Sequence, residues 1–330
     1  MKTNKFILSL IVISVLASLM CSCTKIKKGG VRGLGKVYCD ESFKNIIDEE
    51  IEVFEYHYKD ASILSRYVDE AAALDSLLNE KTNVIIAYRD LTPNQKKILK
   101  GQGRAYRSRC IAVDGIALIV NNENDIDYLS MNDIADIMTG KSKTWGDVYP
   151  TKLKNEPIKV VFDKNRSGVL HYIKDKFNGG KDLPIEFYAQ GSSQEVFDIV
   201  KKSRNVIGVI GVSWITSDMK STASTVEEKY AELQSDSTSR QETKFTDQIK
   251  VLGVRTEDNI KDYKPYQAYI FNGDYPLTRK IYAIDASPLG TVDHDFFVFL
   301  TGSIGQKIIL QTGISPAAVP MRIVNVGGEE

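Results

Sequence analysis

The chain has 330 residues, 42% of them hydrophobic and 26% charged, with nine prolines and 23 glycines. That composition excludes collagen, a long coiled coil and wholesale disorder, and the length suffices for two domains of roughly 150 residues each. Lys plus Arg and Asp plus Glu are both 43, so the net charge is zero and whole-protein attraction to a nucleic acid is not expected. Three histidines, His57, His171 and His294, are few for a hydrolase or a metal centre.

Lys2 and Lys5 precede an apolar run from Phe6 to Met20. The run is short for a bilayer span, which needs about 20 residues, and has the form of a secretory signal. It ends at Leu19-Met20-Cys21-Ser22-Cys23-Thr24 and turns basic at Lys25, Lys27 and Lys28. A cysteine directly after the hydrophobic segment resembles a bacterial lipoprotein signal. Cys23 is the expected acylated residue, and Cys21 is the alternative. On this reading residues 1–22 are removed and acyl chains hold the protein at a membrane surface. Residues 23–35, with Gly29, Gly30, Gly33 and Gly35, then form a flexible tether.

Lys36–Cys39 reads as a short strand, and Asp40-Glu41-Ser42-Phe43 as a helix start. Phe43, Ile46, Ile47, Ile51 and Phe54 follow at helical spacing. A strand over Ile63–Val68, a helix from Asp69 through Leu78, a buried strand over Asn83–Tyr88 and a helix opened by Thr92-Pro93 come next. This alternation predicts a mostly parallel sheet with helices on both faces. Cys110–Asn121 is a long extended stretch interrupted by Asp114-Gly115, which suits a strand crossing from one domain to another.

A second α/β series follows: a helix over Met131–Met138, a strand over Ile158–Phe162 and a helix over Gly168–Phe177. A helix over Glu195–Lys202 and a strand over Val206–Ser213 complete it. From Ser217 to Gln248 the chain is rich in Ser, Thr and Glu, and reads as a solvated excursion with one short helix, Val226–Leu233. Tyr275–Ile284 is the second candidate crossing. One last helix is expected over Asp293–Leu310, with Gly302 and Gly305 interrupting its pattern. Two crossings make a clamshell, with residues 36–113 plus 280–326 as one domain and 114–279 as the other. Cys39 and Cys110 both fall in strands of the first domain. A disulfide between them and two separate thiols remain equally open, because geometry decides.

Catalytic patterns are absent: there is no His-Glu-x-x-His, no Gly-x-Ser-x-Gly and no Cys-x-x-Cys. Gly140-Lys141-Ser142 imitates the end of a P-loop, but Ala135 stands where the first glycine belongs. The informative pattern is polar residues at strand-to-helix junctions, Asp40–Phe43, Arg89-Asp90 and Asn165–Gly168. Ligands of open α/β sheets bind beyond the carboxyl ends of the strands, where helix starts offer free N–H groups to an oxyanion. Ser42, Ser167 and Gly168 are candidate donors, and Arg89 or Arg166 candidate charged forks. Asp90 would accept a hydrogen bond from a protonated oxyanion and repel sulfate. The competing reading makes Ser42 and Ser167 plain helix caps, with Arg89 and Asp90 a surface pair.

Ile111–Asn121, Leu129–Gly140 and Trp145-Gly146-Asp147 resemble the phosphate ABC-transporter substrate-binding protein family. Val206–Gly211, Tyr275-Pro276-Leu277-Thr278-Arg279 and Gly305–Ile309 resemble its later blocks, in the same order. The resemblance implies an α/β periplasmic-binding-protein clamshell with two hinge crossings, near Val113–Gly115 and Tyr275–Arg279. It also implies a non-catalytic, lipid-anchored component of an importer on the periplasmic side of a bacterial membrane or at the cell surface. Such a protein takes inorganic phosphate or a similar oxyanion, engages permease subunits and needs no cofactor or metal.

Ser42 and Phe43 match the family's first phosphate loop, Asp90 its proton-accepting aspartate, and Ser167-Gly168 the Ser-Gly of its Arg-x-x-x-Ser-Gly-Thr loop. The chain departs from that pattern with Asp163 at the Arg position and Val169 at the Thr position. Asp69-Glu70 stand where a Ser/Gly-rich loop is expected. Those acids and the polar excursion fit an alternative, a divergent clamshell sensor or scaffold with another ligand or a protein partner. A groove lined mainly by acids would count against phosphate capture and leave only the architecture.

Overall fold

The computed structural model describes residues 30–185, 187–189, 191–215, 225–234, 245–256 and 261–318. The first half runs β1 (Arg32–Asp40), α1 (Lys44–His57), β2 (Asp60–Val68), α2 (Glu70–Leu78), β3 (Val84–Ala87), α3 (Pro93–Gly101) and β4 (Arg107–Val120). The second half runs β5 (Tyr128–Ser130), α4 (Met131–Met138), β6 (Lys159–Phe162), α5 (Gly168–Asn178), β7 (Phe187–Ala189), α6 (Ser193–Lys202) and β8 (Val206–Gly211). Then come α7 (Val226–Gln234), β9 (Lys250–Val251), β10 (Gly253–Arg255), β11 (Asp262–Tyr263) and α8 (Gln267–Asn272). β12 (Thr278–Asp285), α9 (Val292–Thr301), α10 (Ser303–Gln311) and β13 (Ser315–Pro316) close the described chain.

The main sheet has the order β2-β1-β3-β12-β4-β8-β6-β7. Its outer strands run parallel in both halves, β1 with β2 and β3, and β6 with β7 and β8. The strands around the crossings run antiparallel: β12 pairs with β3 and β4, and β4 pairs with β8. β4 joins the halves because it is long enough to serve both. Arg107–Gly115 pair with β12, whereas Ile116–Ile119 pair with β8. Fourteen residues of strand span about 46 Å, and they pair with β12 at one end and β8 at the other. The Asp114-Gly115 interruption falls where the partner changes.

The β-α alternation of the sequence appears as read, with ends shifted by one to three residues. Two expectations change. Residues 32–35 are strand, not tether: Arg32 already pairs with Asp60, and Gly35 lies so close to Ile63 and Val292 that a Cβ there would clash at 2.8 and 3.0 Å. The last helix is two. Gly302 takes an extended backbone that ends α9 and starts α10, and Gly305 sits against the Phe299 and Leu300 backbone where a side chain would not fit. In the polar excursion one helix, α7, is present over Val226–Gln234, while residues 216–224 and 235–244 lie outside the described residues.

Apolar burial ties the C-terminal helices back to the first lobe. Phe54 of α1 meets Phe296 and Phe299 of α9 edge-to-face at 5.2 and 5.4 Å, while Trp145 is fully enclosed in the second half. Local chemistry starts α4: Ser130 Oγ accepts from the Asp133 amide at 3.0 Å, and Asp133 accepts from the Ser130 amide at 2.8 Å. Ser130→Ala is expected to lower stability by about 1 kcal/mol in a urea titration. An unmoved midpoint would show that α4 does not depend on this cap.

Candidate ligand-binding cleft

The two crossing strands each place one charged residue in the core. Arg279 of β12 and Asp114 of β4 are directly opposed in register, and both are buried. Arg279 donates from Nε and Nη2 to Asp114 Oδ2 at 3.0 and 2.9 Å, and from Nη2 to Ser42 Oγ at 3.0 Å. Its guanidinium carbon stands 4.3 Å over the centre of the Phe43 ring. Nη1 makes no hydrogen bond among the described residues. Burial pushes the Asp114 carboxyl up while Arg279 pulls it down.

Around that guanidinium, helix starts from both halves meet. β1 ends at Asp40, and Glu41–Phe43 form a 3-10 turn that aims the Ser42 amide inward. From the other half, α5 begins at Gly168 with Ser167 as its N-cap. The two amides converge on one carboxylate. Asp40 Oδ1 accepts from Ser42 N at 2.9 Å and Ser42 Oγ at 2.6 Å, and Asp40 Oδ2 accepts from Gly168 N at 2.7 Å. Glycine is required at 168, since a Cβ would lie 2.7 Å from Asp40 Oδ2 and 3.0 Å from the Tyr88 ring.

The remaining lining is acidic. Burial, then the charge of Asp163, raises Glu41 to about 7, offset in part by the charge of Lys164. Burial, then the charge of Asp40, raises Asp163 to about 6. Glu41 Oε2 and Asp163 Oδ2 make no hydrogen bond among the described residues. Beyond them Glu70, fully buried, meets His171 Nδ1 at 2.8 Å and Arg89 Nε at 3.6 Å. Among the described residues no group of three or more His, Cys, Asp or Glu is arranged to hold a metal ion.

The residues expected to touch a ligand separate into two sets. Ser42, Phe43 and Gly168 meet at Arg279. Ser167, buried, caps α5, its hydroxyl accepting from the Leu170 amide at 3.2 Å. Asp90 turns to Lys96 at 2.6 Å and to the Leu91 amide, so it is not among the groups around Arg279. Arg89 leans on Glu70. Arg166, half exposed, bridges the halves at the rim to Asp75 at 3.3 Å and Asp69 at 3.6 Å. Cys39 and Cys110 are free thiols, Cys39 buried. Cys23 lies outside the described residues.

Four residues that carry the cleft were not singled out as ligand contacts: Asp40, Glu41, Asp114 and Arg279. A signal for two of them was present. Asp114 is the charged residue of Cys110–Asn121, and Arg279, next to Lys280, is charged within Tyr275–Ile284; a charge in a buried strand needs a partner.

A model of the PBP superfamily domain matches residues 31–295. The chain belongs to this superfamily. Relatives of known role include the phosphate-binding protein PstS of Staphylococcus epidermidis, 26% identical over 283 residues, covering 84% of this chain and 76% of that one. The PstS protein of Staphylococcus saprophyticus is 25% identical and covers 76% and 70%. Among solved structures, a phosphate ABC-transporter substrate-binding protein from Clostridium perfringens with bound phosphate superposes with a TM-score of 0.65. It is 19% identical, and the match covers 87% of this chain and all of that one. An ABC-type phosphate transport receptor from Vibrio cholerae gives 0.60 at 16% identity, covering 86% and 100%. The PBP superfamily fold accounts for the mixed α/β sheets and the paired strand crossings, and the resemblance read in the sequence recurs in these relatives.

Proposed function

We propose that this protein is the non-catalytic, solute-binding component of an ABC importer and captures inorganic phosphate or a related small oxyanion between two lobes. The lobes are residues 36–113 with 280–326, and 114–279, hinged near Val113–Gly115 and Tyr275–Arg279. Acylation at Cys23 holds it outside the cytoplasmic membrane, where it delivers solute to permease subunits. The observation that carries this reading is the convergence of the Ser42 and Gly168 amides on one carboxylate beside the free Nη1 of Arg279. Those donors, from two helix starts and a guanidinium, are what an oxyanion needs. The names of the relatives point to the same ligand.

The acids decide which oxyanion. Glu41 and Asp163, raised to about 7 and about 6, can keep protons near neutrality or accept them from a ligand that carries its own. A protonated phosphate offers such hydrogens, and sulfate at neutral pH does not. Titration calorimetry at pH 6.5 is expected to show heat with phosphate and none with sulfate or buffer. No heat and no melting shift with millimolar phosphate would reject phosphate as the ligand. The acid-rich lining favours one second reading, a clamshell that takes a different, donor-rich solute. A thermal-shift screen on the protein from Thr24 onward separates the two.

A further inference from the structure

We propose that Asp40 is the cleft's own anion: its carboxylate fills the oxyanion place, joins the lobes without solute, and must withdraw before a free oxyanion binds. The inference rests on the solute-binding reading above and adds the residue that controls access to the site. Asp40 is fully buried and accepts three hydrogen bonds, from Ser42 N, Ser42 Oγ and Gly168 N. Its two oxygens do different things. Oδ1 caps the turn of its own lobe, which any helix-capping aspartate does. Oδ2 reaches the start of α5 in the other lobe, and capping does not require that.

The neighbouring Glu41 is buried beside it, with Oε2 making no hydrogen bond among the described residues. Asp40 thus carries the hydrogen bond from the first lobe to a helix start of the second. Arg279 keeps Nη1 unpartnered beside it, a donor available to a ligand that displaces Asp40. A tethered carboxylate, two residues from its Ser42 donors and held against the Gly168 amide of the other lobe, competes at a high effective concentration with any free anion. If the latched state holds about nine-tenths of the molecules, the apparent affinity for phosphate falls about tenfold.

Asp40→Ser tests the inference, because a serine caps the Ser42 amide yet is too short to reach Gly168. Asp40→Asn, isosteric and uncharged, is the companion. Small-angle scattering in phosphate-free buffer should give a compact wild type and a larger radius of gyration for Asp40→Ser. Added phosphate should then compact the variant. Calorimetry with inorganic phosphate should show both variants binding about tenfold more tightly than wild type. An unchanged radius of gyration in Asp40→Ser, or a measurable affinity that is equal or weaker in both variants, overturns the inference. If neither wild type nor variant binds phosphate, the phosphate reading falls, and the scattering comparison alone decides whether Asp40 latches the lobes.

Discussion

Arg279→Met is expected to cost about 3–5 kcal/mol of folding stability and to remove anion capture. The cost arises from what is left behind. Asp114 is fully buried and receives both of its side-chain hydrogen bonds from this guanidinium, so the substitution strands a carboxylate in the core. Ser42 Oγ and the face of Phe43 lose the same partner. Urea unfolding at pH 7 measures the loss. The double variant Asp114→Leu, Arg279→Met should recover most of it, because removing both charges leaves nothing unpaired. Phosphate binding should stay lost in the double variant. A single substitution costing under about 1 kcal/mol would mean that the pair is hydrated and does not lie at the heart of the cleft.

Asp163→Asn should act in the opposite direction, and only at high pH. Burial and the charge of Asp40 lift the Asp163 carboxyl from its ordinary 3.8 to about 6. The folded protein therefore holds a proton that the unfolded chain has released between those two values. Stability present below pH 4 is lost as pH rises through 6. A shift of that size corresponds to about 3 kcal/mol at pH 8. Glu41, raised from 4.5 to about 7, adds a loss of the same sign one pH unit higher. An uncharged asparagine removes the Asp163 contribution and relieves Glu41, so the melting temperature should rise at pH 8 and stay nearly unchanged at pH 4. A variant less stable than wild type at pH 8 would show that an ionised Asp163 is held by partners and not penalised.

Much of the fold was legible because its signals are local. Phe43, Ile46, Ile47 and Ile51 recur at helical spacing, and α1 buries those that fall on its inner face. Thr92-Pro93 starts α3 through a capping box with Gln95, which needs no distant partner. Leu129–Gly140 and Trp145–Asp147 carry a family resemblance that extends along the chain. The site was legible only in part. Ser42, Phe43 and Gly168 announce themselves as a strand end and a helix start, and such junctions face the cleft in an open α/β sheet. Arg89, Asp90 and Arg166 carry the same residue chemistry, but their directions depend on neighbours such as Lys96, Glu70 and Asp75.

Sequence by itself determined the class of architecture, the order of the longer strands and helices, and the two extended stretches read as crossings. Periodicity, caps and turn residues act within a few positions of one another, so one chain segment suffices to reveal them. Only the tertiary structure decided what the cleft contains. Asp40 and Gly168 are 128 residues apart, and Asp114 and Arg279 are separated by 165. Whether a carboxylate there repels an anion, replaces it or neutralises a buried arginine depends on distances and burial, which arise when the lobes come together.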